Sequence, residues 1–204
     1  MMLIQGLYAI TPDTTDTAWL VEKASLALEG GARVLQYRNK IVDAELAKEQ
    51  ASLLLSICRK HQVPLIINDD VALCRELDAD GVHLGGSDGD ITAARSLLGT
   101  QKIIGASCYN RLELAQQARQ QGATYIAFGA CFASSTKPHA PVASLDLFAQ
   151  AKVLGLPMVA IGGITLENGR SVINAGADSI AVINALFAHA DVKAAATKFN
   201  QLFE

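Results

Sequence analysis

The chain has 204 residues, half of them hydrophobic, and a formal net charge of −3. That length suits one domain with a sizeable core, and the composition excludes a disordered chain. The slight acidity gives no general attraction to nucleic acid or to an anionic membrane, and the apolar runs are too short to span a bilayer.

Short apolar runs alternate with longer segments of helical period. The expected strands are Leu3–Ala9, Val34–Tyr37, Leu65–Ile67, Gly81–Leu84, Ile103–Ala106, Tyr125–Phe128, Met158–Ile161 and Ser179–Ile183. Between them lie helix-like stretches such as Trp19–Leu28, Ala44–Arg59, Leu112–Gln120 and Leu145–Lys152; Leu46, Leu53 and Ile57 keep helical spacing within the second. Eight such units average about 25 residues each, near the roughly 30 residues of a standard barrel unit. A compact α/β fold of the TIM-type (β/α)8 class follows, spanning residues 1–204 as a single domain, with a doubly wound open sheet as the competitor. A faint repeat favours closure. Gly30-Gly31-Ala32, Ala79-Asp80-Gly81, Gly122-Ala123 and Gly176-Ala177 each precede a strand, two strand–helix units apart, and ordinary turn chemistry explains these glycines fully.

Barrel chemistry belongs at the strand C-termini, and unusual polar residues fall there repeatedly. After the second strand, Gln36, Arg38 and Lys40 share one side of an extended chain, either receiving a diphosphate or forming a charged loop. After the third, Asn68-Asp69-Asp70 joins a phosphate donor, a Mg²⁺ carboxylate and a helix cap; capping alone is the competing reading. After the fourth, Asp88 suits a second metal carboxylate and Asp90 a helix cap, in roles that can be exchanged, while His83 is a ligand or simply a packed, hydrogen-bonded histidine. Ser107 leaves the fifth strand as a donor. Ser134, Ser135, Thr136 and Lys137 follow the sixth as an anion loop or a plain turn. Gly162-Gly163 after the seventh, with Ile183-Asn184 after the eighth, matches the usual barrel phosphate site.

No Ser–His–acid or Cys–His order stands out for covalent catalysis. The four cysteines form no CxxC pair and read as reduced thiols of a cytoplasmic protein, the four histidines suggest no zinc site, and Met1–Gly6 lacks the features of a signal peptide. Two phosphate-binding regions, one beside the expected Mg²⁺ site, call for two anionic substrates or one that is anionic at both ends.

The ordered set Gly6-Leu7-Tyr8-Ala9-Ile10-Thr11, Gln36-Tyr37-Arg38-Asn39-Lys40, Ile67-Asn68-Asp69-Asp70, Gly81-Val82-His83-Leu84-Gly85, Ser134-Ser135-Thr136-Lys137 and Ile161-Gly162-Gly163-Ile164 closely resembles the thiamine-phosphate synthase family. The resemblance runs almost the length of the chain. It implies a cytoplasmic transferase, a homodimer or similar small oligomer, with two small-molecule substrates: 4-amino-2-methyl-5-hydroxymethylpyrimidine diphosphate and 4-methyl-5-(2-hydroxyethyl)thiazole phosphate. The products are thiamine phosphate and diphosphate. It also implies Gln36, Arg38, Lys40, Asn68 and Lys137 on the diphosphate side, Asp69 and Asp88 as Mg²⁺ carboxylates, and Ser107 at the pyrimidine, with Lys137, Arg38 and Ser107 catalytic. Ser134, Thr136, Gly162, Gly163, Ile183 and Asn184 then face the thiazole phosphate. Ala130 and Ala133 stand where many relatives have prolines, and Asn184 replaces a small hydroxyl residue. The rivals are the related thiazole tautomerase and a non-catalytic phosphate-metabolite binding protein. Neither needs Arg38, Lys40, Asp69, Asp88 and Lys137 together.

Overall fold

The computed structural model describes residues 4–85, 89–133 and 143–204. Eight parallel strands close on themselves in chain order, so the barrel prevails over the open sheet. The elements are β1 (Gly6–Ile10), α1 (Thr17–Glu29), β2 (Val34–Tyr37), α2 (Ala44–His61), β3 (Leu65–Asn68), α3 (Val71–Glu76), β4 (Gly81–Leu84), α4 (Ile91–Leu98), β5 (Ile103–Tyr109) and α5 (Leu112–Gln120). They continue through β6 (Tyr125–Phe128), α6 (Asp146–Ala151), β7 (Met158–Ile161), α7 (Gly169–Asn174), β8 (Ser179–Val182), α8 (Asn184–Phe187) and α9 (Val192–Gln201). Closure is explicit in the register of the first and last strands, where Leu7 pairs with Ile180 and Tyr8 with Ala181.

The strands read as unbroken apolar runs because both of their faces are covered. Successive side chains alternate between two cores. Tyr8, Ile10, Val34, Ile66, Tyr125, Ala127, Val159 and Ala181 fill the barrel. Their neighbours Leu7, Ala9, Leu35, Ile67, Ile126, Ala160 and Ile180 pack outward against helix residues such as Leu20, Leu54, Phe148 and Phe199. All four cysteines are buried and free. Burial pushes the thiols of Cys74 and Cys131 up to about 11 and that of Cys108 to about 12, which makes them unreactive.

The repeat seen in the sequence lies at the barrel floor, before each even-numbered strand. Ala32, Ala79, Ala123 and Ala177 donate their N–H groups to Ala27, Cys74, Ala118 and Val172, closing the preceding helices. The next side chain ties down the neighbouring odd strand in three of the four units: Asp80 accepts from Leu65 N (2.8 Å), Thr124 from Ile104 N (3.0 Å) and Asp178 from Met158 N (2.8 Å). These glycines and their neighbours are structural.

Aspartates start several of the helices. Asp16, Asp43, Asp70, Asp90 and Asp191 each accept a backbone N–H in the first turn, satisfying donors the helix cannot. Asp70 is therefore a cap. Asp90 is one too, its Oδ1 accepting from Thr92 N at 2.7 Å and Ala93 N at 3.3 Å.

Candidate active site

The loops after β1, β2 and β3 meet at the strand C-termini. Thr11 is fully buried and bonds Arg38 twice: its Oγ1 donates to Arg38 O and accepts from Arg38 N, both at 2.9 Å. Asp13 gathers the same loop, pairing with the Arg38 guanidinium at 3.0 Å and accepting from Lys40 N at 2.9 Å. The Lys40 ammonium then reaches Asp69 at 3.4 Å, and Asn68 Nδ2 donates to the same Asp69 oxygen at 2.6 Å. Asp69 has φ +63°, a conformation few side chains adopt, and its N–H is held by His83 O at 2.9 Å. At the C-terminal end of a barrel strand, that conformation makes Asp69 a candidate functional residue.

Gln50 supports this corner from α2. It is wholly buried and fully engaged: its oxygen accepts from Tyr37 Oη (3.0 Å) and Asn39 Nδ2 (2.9 Å), while its amide donates to Thr14 O (3.2 Å) and Thr17 Oγ1 (3.3 Å). One helix residue thus links the loops that carry Asp13, Arg38 and Lys40.

The barrel interior holds a continuous polar chain. Gln36 Nε2 donates to Tyr8 Oη at 2.9 Å, and Tyr8 Oη lies 2.7 Å from Tyr125 Oη. Tyr125 Oη is 2.8 Å from His83 Nδ1, and His83 Nε2 is 2.9 Å from Ser107 Oγ. The Tyr125 and His83 rings stack with centroids 5.5 Å apart. Burial raises both phenols far above their ordinary range and pushes the His83 imidazolium down to about 4. The chain is therefore uncharged at neutral pH. Gly105 makes room for it, because a Cβ there would collide with the Tyr125 ring and hydroxyl.

On the opposite arc, Gly162 (φ +96°) and Gly163 (φ +65°) follow β7. A Cβ on Gly163 would come within 2.5 Å of Ala133 O and 2.7 Å of Phe132 O. Asn168 pins the turn, accepting from Thr165 N at 2.8 Å and donating to Gly163 O at 2.9 Å. On the adjacent strand, Ile183 and Asn184 open the short helix α8.

These features coincide with a family match. A model described as thiamine monophosphate synthase matches residues 7–186. The chain belongs to this family. A thiamine-phosphate synthase of Methylobacillus flagellatus is 64% identical over 200 residues, covering 98% of this chain and 96% of the relative. One from Nitrosospira multiformis is 52% identical over 202 residues, covering 98% and 86%. Among solved structures, a thiamine phosphate pyrophosphorylase from Pyrococcus furiosus superposes with a TM-score of 0.86 at 34% identity, covering 97% of this chain and 95% of that one.

Within this family fold, the expected site residues that are described lie in the C-terminal half of a strand or just beyond it. Asp69, Lys40 and Asn68 touch. Among the described residues, Arg38 joins them through Asp13, and Gln36 and Ser107 are connected through Tyr8, Tyr125 and His83. The expected side-sharing of Gln36, Arg38 and Lys40 does not hold: β2 ends at Tyr37, Gln36 turns into the barrel, and the two cations seek separate aspartates. The fifth strand runs on to Tyr109, with an irregular register between Ser107 and Tyr109, so Ser107 lies within the strand instead of after it. His83 is a packed, hydrogen-bonded histidine whose two ring nitrogens are both engaged. Asp88, Ser134, Thr136 and Lys137 lie outside the described residues. Among the described residues no cluster of three or more His, Cys, Asp or Glu side chains forms a metal cage, and no helix is long and apolar enough to cross a membrane. The sequence reading missed Thr11, Asp13 and Gln50, and it saw Tyr8 and Tyr125 only as strand residues. The available signal was a polar tip inside an otherwise apolar run, as in Leu7-Tyr8-Ala9 and Tyr125-Ile126-Ala127.

Proposed function

We propose that this chain joins 4-amino-2-methyl-5-hydroxymethylpyrimidine diphosphate to 4-methyl-5-(2-hydroxyethyl)thiazole phosphate, releasing thiamine phosphate and diphosphate. The observation that carries the reading is the Arg38–Asp13–Lys40–Asp69–Asn68 cluster, opposite the Gly162-Gly163 turn, in a chain of the thiamine monophosphate synthase family. One cluster suits a diphosphate and the other a monophosphate.

In the reaction the C–O bond between the pyrimidine methylene and the diphosphate breaks, and a C–N bond to the thiazole nitrogen forms. The departing oxygen gains charge, so cations placed there stabilise the transition state more than the ground state. Arg38 and Lys40 fill that role on this reading, together with Lys137. Asn68 donates to a phosphate oxygen. Asp69 offers a hard carboxylate oxygen at the barrel mouth, now satisfied by Lys40 and Asn68, and that oxygen would hold Mg²⁺ once those two turn to the diphosphate. Such an ion takes few protein carboxylates when phosphate oxygens and water complete its shell; Asp88 is the proposed second carboxylate, since Asp90 is occupied as a cap. Bound there, Mg²⁺ supplies Lewis-acid stabilisation of the diphosphate. Ser107 contacts the pyrimidine, with Gln36 acting behind it in the barrel. Ser134, Thr136, Asn184 and the backbone around Gly162, Gly163 and Ile183 anchor the thiazole phosphate, aligning its nitrogen for attack. That nitrogen carries a lone pair, so neither a covalent nucleophile nor a strong base is required. The neutrality of His83 agrees with this economy. The protein is proposed to be a single-domain cytoplasmic homodimer.

Incubation of both substrates with the purified chain, with and without Mg²⁺, tests the reading. Mg²⁺-dependent thiamine phosphate with equal diphosphate release is expected. Folded protein that leaves both substrates intact overturns it in favour of a binding protein. Conversion of an isomeric thiazole carboxylate phosphate alone overturns it in favour of the tautomerase.

A further inference from the structure

The geometry points to a one-directional hydrogen-bond relay, Gln36→Tyr8→Tyr125→His83→Ser107, that fixes His83 as its Nε2–H tautomer and commits the Ser107 hydroxyl to donating toward the barrel mouth. Tyr8, Tyr125 and His83 are then positioning residues, and the consequence for substrate rests on the reading of Ser107 given above.

The direction follows from counting hydrogens. The Gln36 amide nitrogen 2.9 Å from Tyr8 Oη is a donor only, so the Tyr8 oxygen accepts. A phenol has one hydrogen. Among the described residues, the remaining hydrogen-bond partner of the Tyr8 hydroxyl is Tyr125, at 2.7 Å, which therefore receives it. Tyr125 in turn has one hydrogen to give, and His83 Nδ1 stands 2.8 Å away. An acceptor Nδ1 in a neutral imidazole places the ring hydrogen on Nε2, which donates to Ser107 Oγ at 2.9 Å. Among the described residues the Ser107 hydrogen has no acceptor, and it is available to a ligand. Reversing either link made by Tyr125 orphans a buried phenol hydrogen, and reversing the last leaves His83 with two accepting nitrogens and no ring hydrogen, so the groups keep one polarity together. Both phenols are held protonated by burial, which keeps the hydrogen count fixed across ordinary pH. A group that meets Ser107 in the mouth with an acceptor lone pair, such as an aromatic ring nitrogen, then receives that hydrogen.

Two-bond ¹H–¹⁵N spectra of the imidazoles in labelled, full-length protein test the polarity without substrate, with His83→Gln assigning the signal. A single Nε2–H tautomer in the parent chain is expected. Tyr125→Phe removes the donor to Nδ1 and should convert it to a mixture. A predominant Nδ1–H form, or an imidazolium at neutral pH, overturns the relay, as does a Tyr125→Phe spectrum identical to the parent's. Steady-state kinetics supply the second readout. Tyr125→Phe should lower kcat/KM for the pyrimidine diphosphate by about tenfold or more while the KM for thiazole phosphate stays within about twofold. A tautomer mixture with unchanged kinetics overturns the positioning role of Tyr125. Equal loss toward both substrates overturns it too, because that is the signature of general loosening. If Tyr125→Phe does not fold, Tyr8→Phe, which interrupts the relay one link earlier, is put through the same two measurements. A parent chain that shows the Nε2–H tautomer but no condensation supports the relay and overturns the synthase reading, so the two failures are distinguishable.

Discussion

Replacing Gly105 by alanine adds one methyl group directly beneath the Tyr125 ring. Gly105 pairs with Tyr125 across β5 and β6, and the new Cβ would overlap the ring's Cε1, Cζ and Oη. Its φ lies outside the left-handed region, so the change would ordinarily stabilise by about 0.4–1 kcal/mol through the unfolded chain. Carbon atoms need about 3.5–4 Å between them, and the ring must therefore move by an ångström or more. That movement breaks bonds now at 2.7 Å to Tyr8 and 2.8 Å to His83. Overpacking costs about 1–3 kcal/mol, and each buried group left without a partner about 1–3 kcal/mol. A net loss of about 2–8 kcal/mol is expected, read from the urea midpoint at constant m by far-ultraviolet circular dichroism. Gly99→Ala is the control: nothing lies within 4 Å of its Cβ, and only its φ of +80° opposes the change, for about 1 kcal/mol. If Gly105→Ala loses less than about 1 kcal/mol, the claim that this glycine exists to admit Tyr125 is wrong.

Asp69→Asn should lower kcat by about 10²–10³ and raise the Mg²⁺ concentration needed for half-activity, with the melting temperature almost unchanged; activity within about threefold of the parent would remove Asp69 from the metal site. Gly163→Ala places a Cβ against two backbone oxygens at φ +65°, so it should raise the KM for the thiazole phosphate more than that for the pyrimidine diphosphate, and the reverse order would count against the phosphate assignment. The His83 imidazolium is held down at about 4 in the folded chain and lies near 6.5 when unfolded. The unfolded state therefore binds the extra proton first, and stability falls as pH drops through the window from about 6.5 to 4, by about 2 kcal/mol between pH 7 and 5. Denaturant titrations of the parent and His83→Gln check this, and equal pH slopes would show that His83 titrates alike in both states.

Much of the architecture is legible from local pattern. Leu65-Ile66-Ile67 and Met158-Val159-Ala160-Ile161 are too short and too continuously apolar for surface helices, and each ends in residues that cannot remain in a core. Asp70 and Asp90 announce their helices through the capping geometry any chain obeys. Strand boundaries drifted where tertiary contacts decide them: the first strand begins at Gly6 because its pairing with β8 starts at Ser179, and the fifth continues to Tyr109 because β6 still pairs with it there.

The sequence by itself determined the eight strand–helix units, the strand ends that carry the chemistry, and most of the polar residues on them, because periodicity and strand-end chemistry are properties of neighbours along the chain. Only the tertiary structure decided that Asp13 gathers Arg38 and Lys40, that Lys40 faces Asp69, and that Gln36 reaches Ser107 through Tyr8, Tyr125 and His83. Those contacts join residues 24 to 117 positions apart. Their partners are chosen by strand order, by stagger around the closed barrel, and by the space that Gly105 leaves open, none of which is written in any local stretch of the chain.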